Sequence, residues 1–544
     1  MYLSRLSFRG KRGICFFPAS TLLRGCFLSS LFAATFTFLA NAQQNPALSA
    51  SIEKIIDRPE FKHANFGIEF YDLATNTVVY SLNADKLFTP ASTTKLLTEG
   101  AVLAKFGKDY RFHTAIYRTS AIDKKGRLKG DLILVASGDP NLSNRIQPDY
   151  TLSFQDEDHS YGGPAVNGDP LAVIKSLAQQ VRDKGVRRID GRVLIDTSLF
   201  PDGPREGGTD VVMSSIMVND NVIDVVAKPG ARVGEPLTLT TSPQTTYAHF
   251  TNHATTTATG TPPSFNDPEF DTNSDGSVNI TLSGTLPVGI EPQTVSIGVP
   301  SPTIFAQWVL RESLAAEGIE IKSPLITVQP DFAPLAHNYT PENQIAEHLS
   351  LPLTEEIKVT LKVSQNLHAG MGPYLLGAIA GKDTGNALKK GFELERAFLT
   401  DAKLDLSGAS QGDGAGGDWA DLFSPDFMCH YLAYWTTRPD YDVLFHALPI
   451  LGKDGTLAKI QPQNPGAGHV FAKTGTFGSG DHLNGKMMLN GKGLAGYVIT
   501  KSGRKLAFAA YVNHVSLPPD PDSAQNVAGQ ALGEIAASAY DAGL

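Results

Sequence analysis

The chain has 544 residues, 42% of them hydrophobic, with 46 Lys+Arg against 55 Asp+Glu and a formal net charge of −9. That length exceeds one ordinary core, so two or three domains are expected. An acidic balance without basic runs argues against a nucleic-acid partner.

The N-terminus reads as an address rather than as fold. Arg5, Arg9, Lys11, Arg12 and Arg24 make a basic start, an apolar run follows from Cys26 to Leu39, and Ala40-Asn41-Ala42 offers a small-x-small cleavage site. This pattern predicts an export signal over residues 1–42 and a periplasmic or otherwise extracytoplasmic protein. The apolar run is 14 residues, short of the roughly 20 that span a bilayer, so no stable membrane span is expected after cleavage. The stretch Leu23-Arg24-Gly25-Cys26 has the outline of a lipobox, but its arginine and its place before the apolar run argue against lipidation. Cys15 and Cys26 would leave with this segment; Cys429 stays alone, and the formal charge falls to −14.

Ser51-Ile52-Glu53-Lys54 lies in a polar amphipathic stretch. Residues 69–73 and 77–81 read as two strands, with 74–76 as their turn. After Pro90, apolar residues at Leu96, Leu97, Ala101, Val102, Leu103 and Phe106 recur at helical spacing and stop at Gly107. Residues 116–339 look mixed and β-rich, with strands at 130–135, 192–195 and 237–240 and helices at 171–184 and 305–316. Ser264 and Ser277 fall in a Thr/Asn/Pro-rich stretch read as loop and turn. Asp271-Thr272-Asn273-Ser274-Asp275-Gly276 imitates the start of a calcium loop, but Leu282 stands where the twelfth-position Glu belongs, so a solvated turn is expected. No H-E-x-x-H or paired-cysteine pattern suggests zinc, and no metal or cofactor is expected. Pro324, Pro330 and Pro334 mark the return to a second run. There, two helical stretches join at a bend holding Ser364. Residues 494–500 and 506–512 read as adjacent strands joined at 501–504, and 523–540 as an alanine-rich helix packed on them.

Three short patterns stand out in this frame: Ser92-Thr93-Thr94-Lys95, Ser364-Gln365-Asn366 and Lys473-Thr474-Gly475. The first two types recur elsewhere (Ser51–Lys54 and Ser502–Lys505; Ser81, Ser264 and Ser277), so context chooses among them. Ser92 is placed on the first turn of its helix, where free N–H groups and the positive dipole end favour an oxyanion. Lys95, three residues on, shares its face. The plain alternative is an N-cap serine followed by a surface lysine. Serine is a poor nucleophile without a base, and Lys95 serves as one only when neutral. Burial and a nearby second cation, Lys473, are expected to lower its pKa. Ser364 suits a proton relay to the leaving amine, Asn366 a clamp on a substrate peptide bond, and Lys473 with Thr474 a terminal carboxylate. The N–H groups of Ser92 and Thr476 are expected to hold the oxyanion.

The ordered trio resembles the signature of penicillin-binding proteins and class A β-lactamases. The whole mature chain is similar to the class C low-molecular-mass penicillin-binding proteins, the D-alanyl-D-alanine carboxypeptidase/endopeptidases. Gly138-Asp139-Pro140, residues 190–196, Asp413-Gly414-Ala415-Gly416 and residues 452–457 add to the likeness. The resemblance implies an α/β (α+β) fold: an antiparallel sheet flanked by helices, discontinuous over 43–115 and 340–544, around an insert at 116–339 of two subdomains. It implies hydrolysis of the D-Ala-D-Ala bond of peptidoglycan stem peptides through an acyl-serine, and covalent capture by β-lactams. It also implies substrate contacts at Thr474, Gly475 and Thr476, and lets Asp196 meet an amino group of the stem; read alone, Asp196 is a turn residue closing a strand. Two departures stand out: Ala415 replaces a usual serine, and residues 477–492 are longer than the tight connection expected there. A β-lactamase or related esterase would need a deacylating glutamate, and Glu393 and Glu395 sit in a helical run without a supporting pattern. A non-catalytic wall-binding scaffold is the other alternative, against which all five polar motif side chains are present.

Overall fold

The structure is a computed structural model that describes residues 44–155, 159, 166–520 and 522–544. The expected export signal, with Cys15 and Cys26, lies outside the described residues.

Period-two patterning builds the main sheet. Strands β1 (Asn65–Asp72) and β2 (Thr77–Leu82) form a hairpin whose turn residue Asn76 takes φ 55, a conformation asparagine tolerates. Between them and the C-terminal strands the chain supplies β3 (His113–Arg118), β4 (Leu132–Val135), β5 (Val193–Asp196) and β6 (Gln344–Leu349). The last strands are β7 (Val470–Asp481), β8 (Lys486–Ile499), β9 (Lys505–Asn513) and β10 (Val515–Leu517). The main sheet runs β2-β1-β9-β8-β7, every pair antiparallel, with β10 added beside the outer end of β8. Its two halves therefore come from opposite ends of the sequence.

Alternation along β9 assigns its two faces. Phe508, Ala510 and Val512 pack with Leu48, Ile52 and Ile535, from helix α1 (Pro46–Ile56) and the C-terminal helix at Gln530–Ser538. Ala507, Ala509 and Tyr511 pack with Leu96, Ile357 and Tyr431. These come from α2 (Lys95–Phe106), α5 (Leu353–Lys362) and α8 (Pro425–Trp435); α3 (Ala172–Asp183) and α4 (Pro302–Ala316) precede α5, and α6 (Asn366–Leu375) and α7 (Ala387–Asp401) follow it. The result is a helix–sheet–helix sandwich with both sheet faces covered.

The intervening chain has a core of its own, uniting Ile116, Leu134, Ile195, Leu177, Phe305 and Ala346. Its sheet runs β6-β3-β4-β5, with β4 and β5 parallel and α3 on the crossover between them. Helices α3 and α4 fall where their periodicity predicts. Asp275 accepts from the Ser277 N–H and hydroxyl in a tight turn between short strands, and the twelfth position, Leu282, is core. Ser264, read as loop, begins a two-residue strand with Phe265, because pairing with Gly284 and Thr285 supplies backbone partners that its composition does not announce. Residues 477–492 are no loose connection: β7 and β8 run through them as one long hairpin.

Candidate active site

The first motif sits where a strand-to-helix joint forces a serine inward. Ala91 takes φ +47, a 3-10 turn covers Ala91–Thr94, and α2 continues from Lys95. Ser92 is therefore on the first turn, as its spacing predicts, though that turn is tighter than an α-helix. The second motif occupies the bend between α5 and α6: Ser364 is fully buried with φ +62, a strained conformation for a non-glycine residue. The third lies on β7, with Lys473 opposite Ala495 of β8. Gly475 has a steric reason: a Cβ there would lie 2.3 Å from the Pro90 carbonyl and 3.0 Å from the Ser92 nitrogen. Gly416, at φ +92, is similar, with a Cβ 2.9 Å from the same nitrogen. Two glycines thus wall a slot around the Ser92 N–H.

The side chains of the three motifs converge. Lys95 Nζ is 2.8 Å from Ser92 Oγ, 2.6 Å from Asn366 Oδ1 and 2.8 Å from the Ala415 carbonyl. Lys473 Nζ is 2.8 Å from Ser364 Oγ and 2.8 Å from the Thr474 carbonyl. Asn366 Oδ1 and the Ala415 carbonyl can only accept, so Lys95 must donate to both. Neutral Lys95 keeps two N–H bonds for them and turns its lone pair to Ser92 Oγ. The geometry thus accommodates Lys95 as a base without rearrangement. At position 415 the partner of Lys95 is main chain, so this contact does not depend on the side chain there. That carbonyl is aimed by Asp413, whose carboxylate accepts from the N–H groups of Ala415, Gly416 and Gly417.

The electrostatics correct one expectation. Burial, rather than a second cation, pushes Lys95 down to about 8, while Glu206, Asp413, Glu99 and Asp421 oppose the fall. The repulsion is felt instead at Lys473, which burial, Lys95 and Lys492 hold well below the usual lysine range.

The candidate substrate residues divide. Thr474 Oγ1 lies 2.7 Å from Thr456 Oγ1, and Thr476 Oγ1 accepts from Lys492 Nζ at 2.6 Å. Asp196 closes β5, accepts from the Ser198 N–H at 2.8 Å and from the Tyr339 hydroxyl at 2.5 Å, and no hydrogen bond among the described residues ties it to the motif side chains. Those bonds match the strand-closing turn reading.

Two side chains escape the sequence reading. Glu206, buried in the insert, points its charge at Lys95, and a Cβ on the nearby Gly208 would lie 2.5 Å from Asn366 Nδ2. The insert therefore forms part of the wall. Lys492 is the second, on β8 opposite Thr476. A lone lysine at an inward position of a strand was its only signal.

The D-Ala-D-Ala carboxypeptidase 3 (S13) family profile matches residues 48–532. The chain belongs to that family. Its activity is accordingly that of a serine-type D-Ala-D-Ala carboxypeptidase, a hydrolase. A D-alanyl-D-alanine carboxypeptidase of Actinomadura sp. is 27% identical over 510 residues, covering 90% of this chain and 85% of the relative. The carboxypeptidase DacB of Haemophilus influenzae is 24% identical over 471 residues, covering 83% and 86%. Penicillin binding protein 4 of H. influenzae has the same fold, with TM-score 0.66, 20% identity and coverage of 91% of this chain and 98% of its own.

Proposed function

We propose that Ser92 attacks the carbonyl of the penultimate D-alanine of a peptidoglycan stem peptide and carries the acyl group as an ester. Lys95 takes the Ser92 proton. Ser364, bonded to Lys473, relays that proton from Lys95 to the departing D-alanine amine, so both groups end as they began. The N–H groups of Ser92 and Thr476 hold the oxyanion, and Asn366 clamps the substrate backbone. Water then repeats the attack and frees the enzyme. The observation that carries this reading is the pair of buried Lys–Ser contacts at 2.8 Å on elements far apart in sequence. A second substrate class, D-configured cross-links, uses the same chemistry.

Export to the periplasm is supported by the basic-then-apolar start; among the described residues no helix is long and apolar enough to cross a membrane. The division into 43–115 with 340–544 around 116–339 is supported by the main sheet, which draws on both chain ends; β3 and β6, at the two junctions, pair within the insert's sheet and share its core.

β-Lactams are expected to acylate Ser92 and stay; the H. influenzae relative is known in complex with one. A β-lactamase would need an ionised glutamate to drive water onto the ester. Burial lifts Glu395 to about 7 and Glu99 well above the carboxylate range, so both resist ionising. Glu206 spends Oε2 on the Gly208 and Thr209 N–H groups and the Thr209 hydroxyl. The test is incubation with fluorescent penicillin and measurement of release. Slow release is expected; fast turnover would mark a lactamase, and no labelling a scaffold.

A further inference from the structure

Lys492 is an unexplained buried cation at the edge of the site. It is 4% exposed, and its Nζ lies 2.6 Å from Thr476 Oγ1 and 3.3 Å from Gln525 Oε1. Both partners are neutral, and among the described residues no carboxylate pairs with it. A buried charge left without a counter-charge costs several kcal/mol, so its retention points to an anion that arrives from outside. The other two lysines of the site are already engaged, Lys95 with Ser92 and Asn366 and Lys473 with Ser364.

The strand direction says where that anion would sit. Thr474 and Thr476 alternate on β7, so their hydroxyls share one face, opposite that of Lys473 and Gly475. Lys492 is the cross-strand partner of Thr476. Because Thr476 Oγ1 accepts from Lys492, its own hydroxyl hydrogen is turned elsewhere, free to donate to a ligand along β7. Gln525 fixes this arrangement from behind: its Oε1 faces Lys492, and its Nε2 donates to the Thr456 carbonyl at 3.3 Å. Thr456 in turn contacts Thr474. Lysine, glutamine and three threonine groups thus form one connected row ending in two hydroxyls.

We infer that Lys492 is a positioning and specificity residue that orients the Thr476 hydroxyl and supplies the positive charge recognising the substrate's free C-terminal carboxylate. This rests on the carboxypeptidase reading above and deepens it: Lys492 favours release of a terminal residue over cleavage of a blocked or internal bond.

The experiment compares two peptides identical up to their ends, one finishing in D-Ala-D-Ala with a free acid and the other in the carboxamide. For Lys492→Gln, kcat/KM on the acid is expected to fall about 10- to 100-fold, the span of a charge-assisted hydrogen bond, mainly through KM, while kcat/KM on the amide stays within about twofold. Lys492→Arg is expected to restore most of the preference. An equal fall on both peptides, or no fall on the acid, would overturn the inference. The unaltered enzyme gives a readout that does not depend on folding of a variant. Burial holds Lys492 at about 8, and Lys473 is the ionisable group that feels its charge. The acid-over-amide ratio cancels the ionisation of Lys95, which both peptides share, so it should decline as pH rises through that value. A constant ratio from about pH 6 to 10, a window spanning a burial-shifted lysine, would also overturn it. If the unaltered enzyme releases no D-alanine from the acid peptide, the carboxypeptidase reading fails, and this inference with it.

Discussion

Lys95 is the motif side chain whose role turns on a single proton. Its value of about 8 sits near the working range of a general base. The sign is direct: only the neutral amine accepts the Ser92 proton, and the neutral fraction grows as pH rises through 8. Acylation by a penicillin, measured by stopped flow, is therefore predicted to climb roughly tenfold per pH unit below that value and to level off above it. A rate that stays flat between about pH 5 and 9, a window bracketing a burial-shifted lysine, would reject Lys95 as base. The three motifs were legible because acyl transfer restricts residue type at short fixed spacings. Glu206 and Lys492 were not, because their meaning comes from cross-chain placement: a turn of the insert against Asn366, and a strand register opposite Thr476. Asp196, to which the resemblance assigns a substrate contact, accepts from the Ser198 N–H and the Tyr339 hydroxyl, two partners that its strand-end position alone does not announce.

At the scale of elements, the bend carrying Ser364 is pinned by an ionic network. His368 on α6 donates to Asp220 Oδ1 at 2.8 Å, and its other ring nitrogen lies 2.8 Å from Glu356 of α5. Asp220, from the insert, also receives Arg145 and His159, each at 2.7 Å. Burial opposes the charge on His368, yet the two carboxylates outweigh it and lift the imidazole to about 9. Replacing His368 with alanine leaves buried carboxylates short of a partner, and is predicted to cost about 3–5 kcal/mol of stability in urea unfolding. The linkage follows from the raised value. The stabilisation is complete below the unfolded histidine pKa near 6.5 and is lost as pH rises through about 9. Unfolding free energy should thus decline over that window, less steeply in the variant, which keeps His159. Histidines without a metal-ligand pattern gave the sequence reading no handle, since a structural cation leaves no spacing rule. Residues 477–492 are longer than a tight connection for a related reason: their glycines and polar residues hide a strand period that register with β8 and support from β10 impose.

For the whole molecule, the sandwich and its insert divide the labour. The outer chain segments build a sheet clad on both faces, and its edge strand β7 presents Lys473 and Gly475 to the Ser92 helix. The insert lays Glu206 and Gly208 against the same centre. The α/β class was legible from alternating and helical periods, since buried faces impose them on sequence. The exact meeting of insert and site was not, because long-range docking leaves no local period. The assignment on which this arrangement depends is Ser92 as the residue that carries the acyl group. Its most direct test is mass spectrometry of the enzyme after penicillin treatment, with the adduct mapped by digestion. One penicilloyl group is expected, on the peptide containing Ser92, and none in Ser92→Ala; an adduct at another residue, or labelling that survives that substitution, would overturn the assignment.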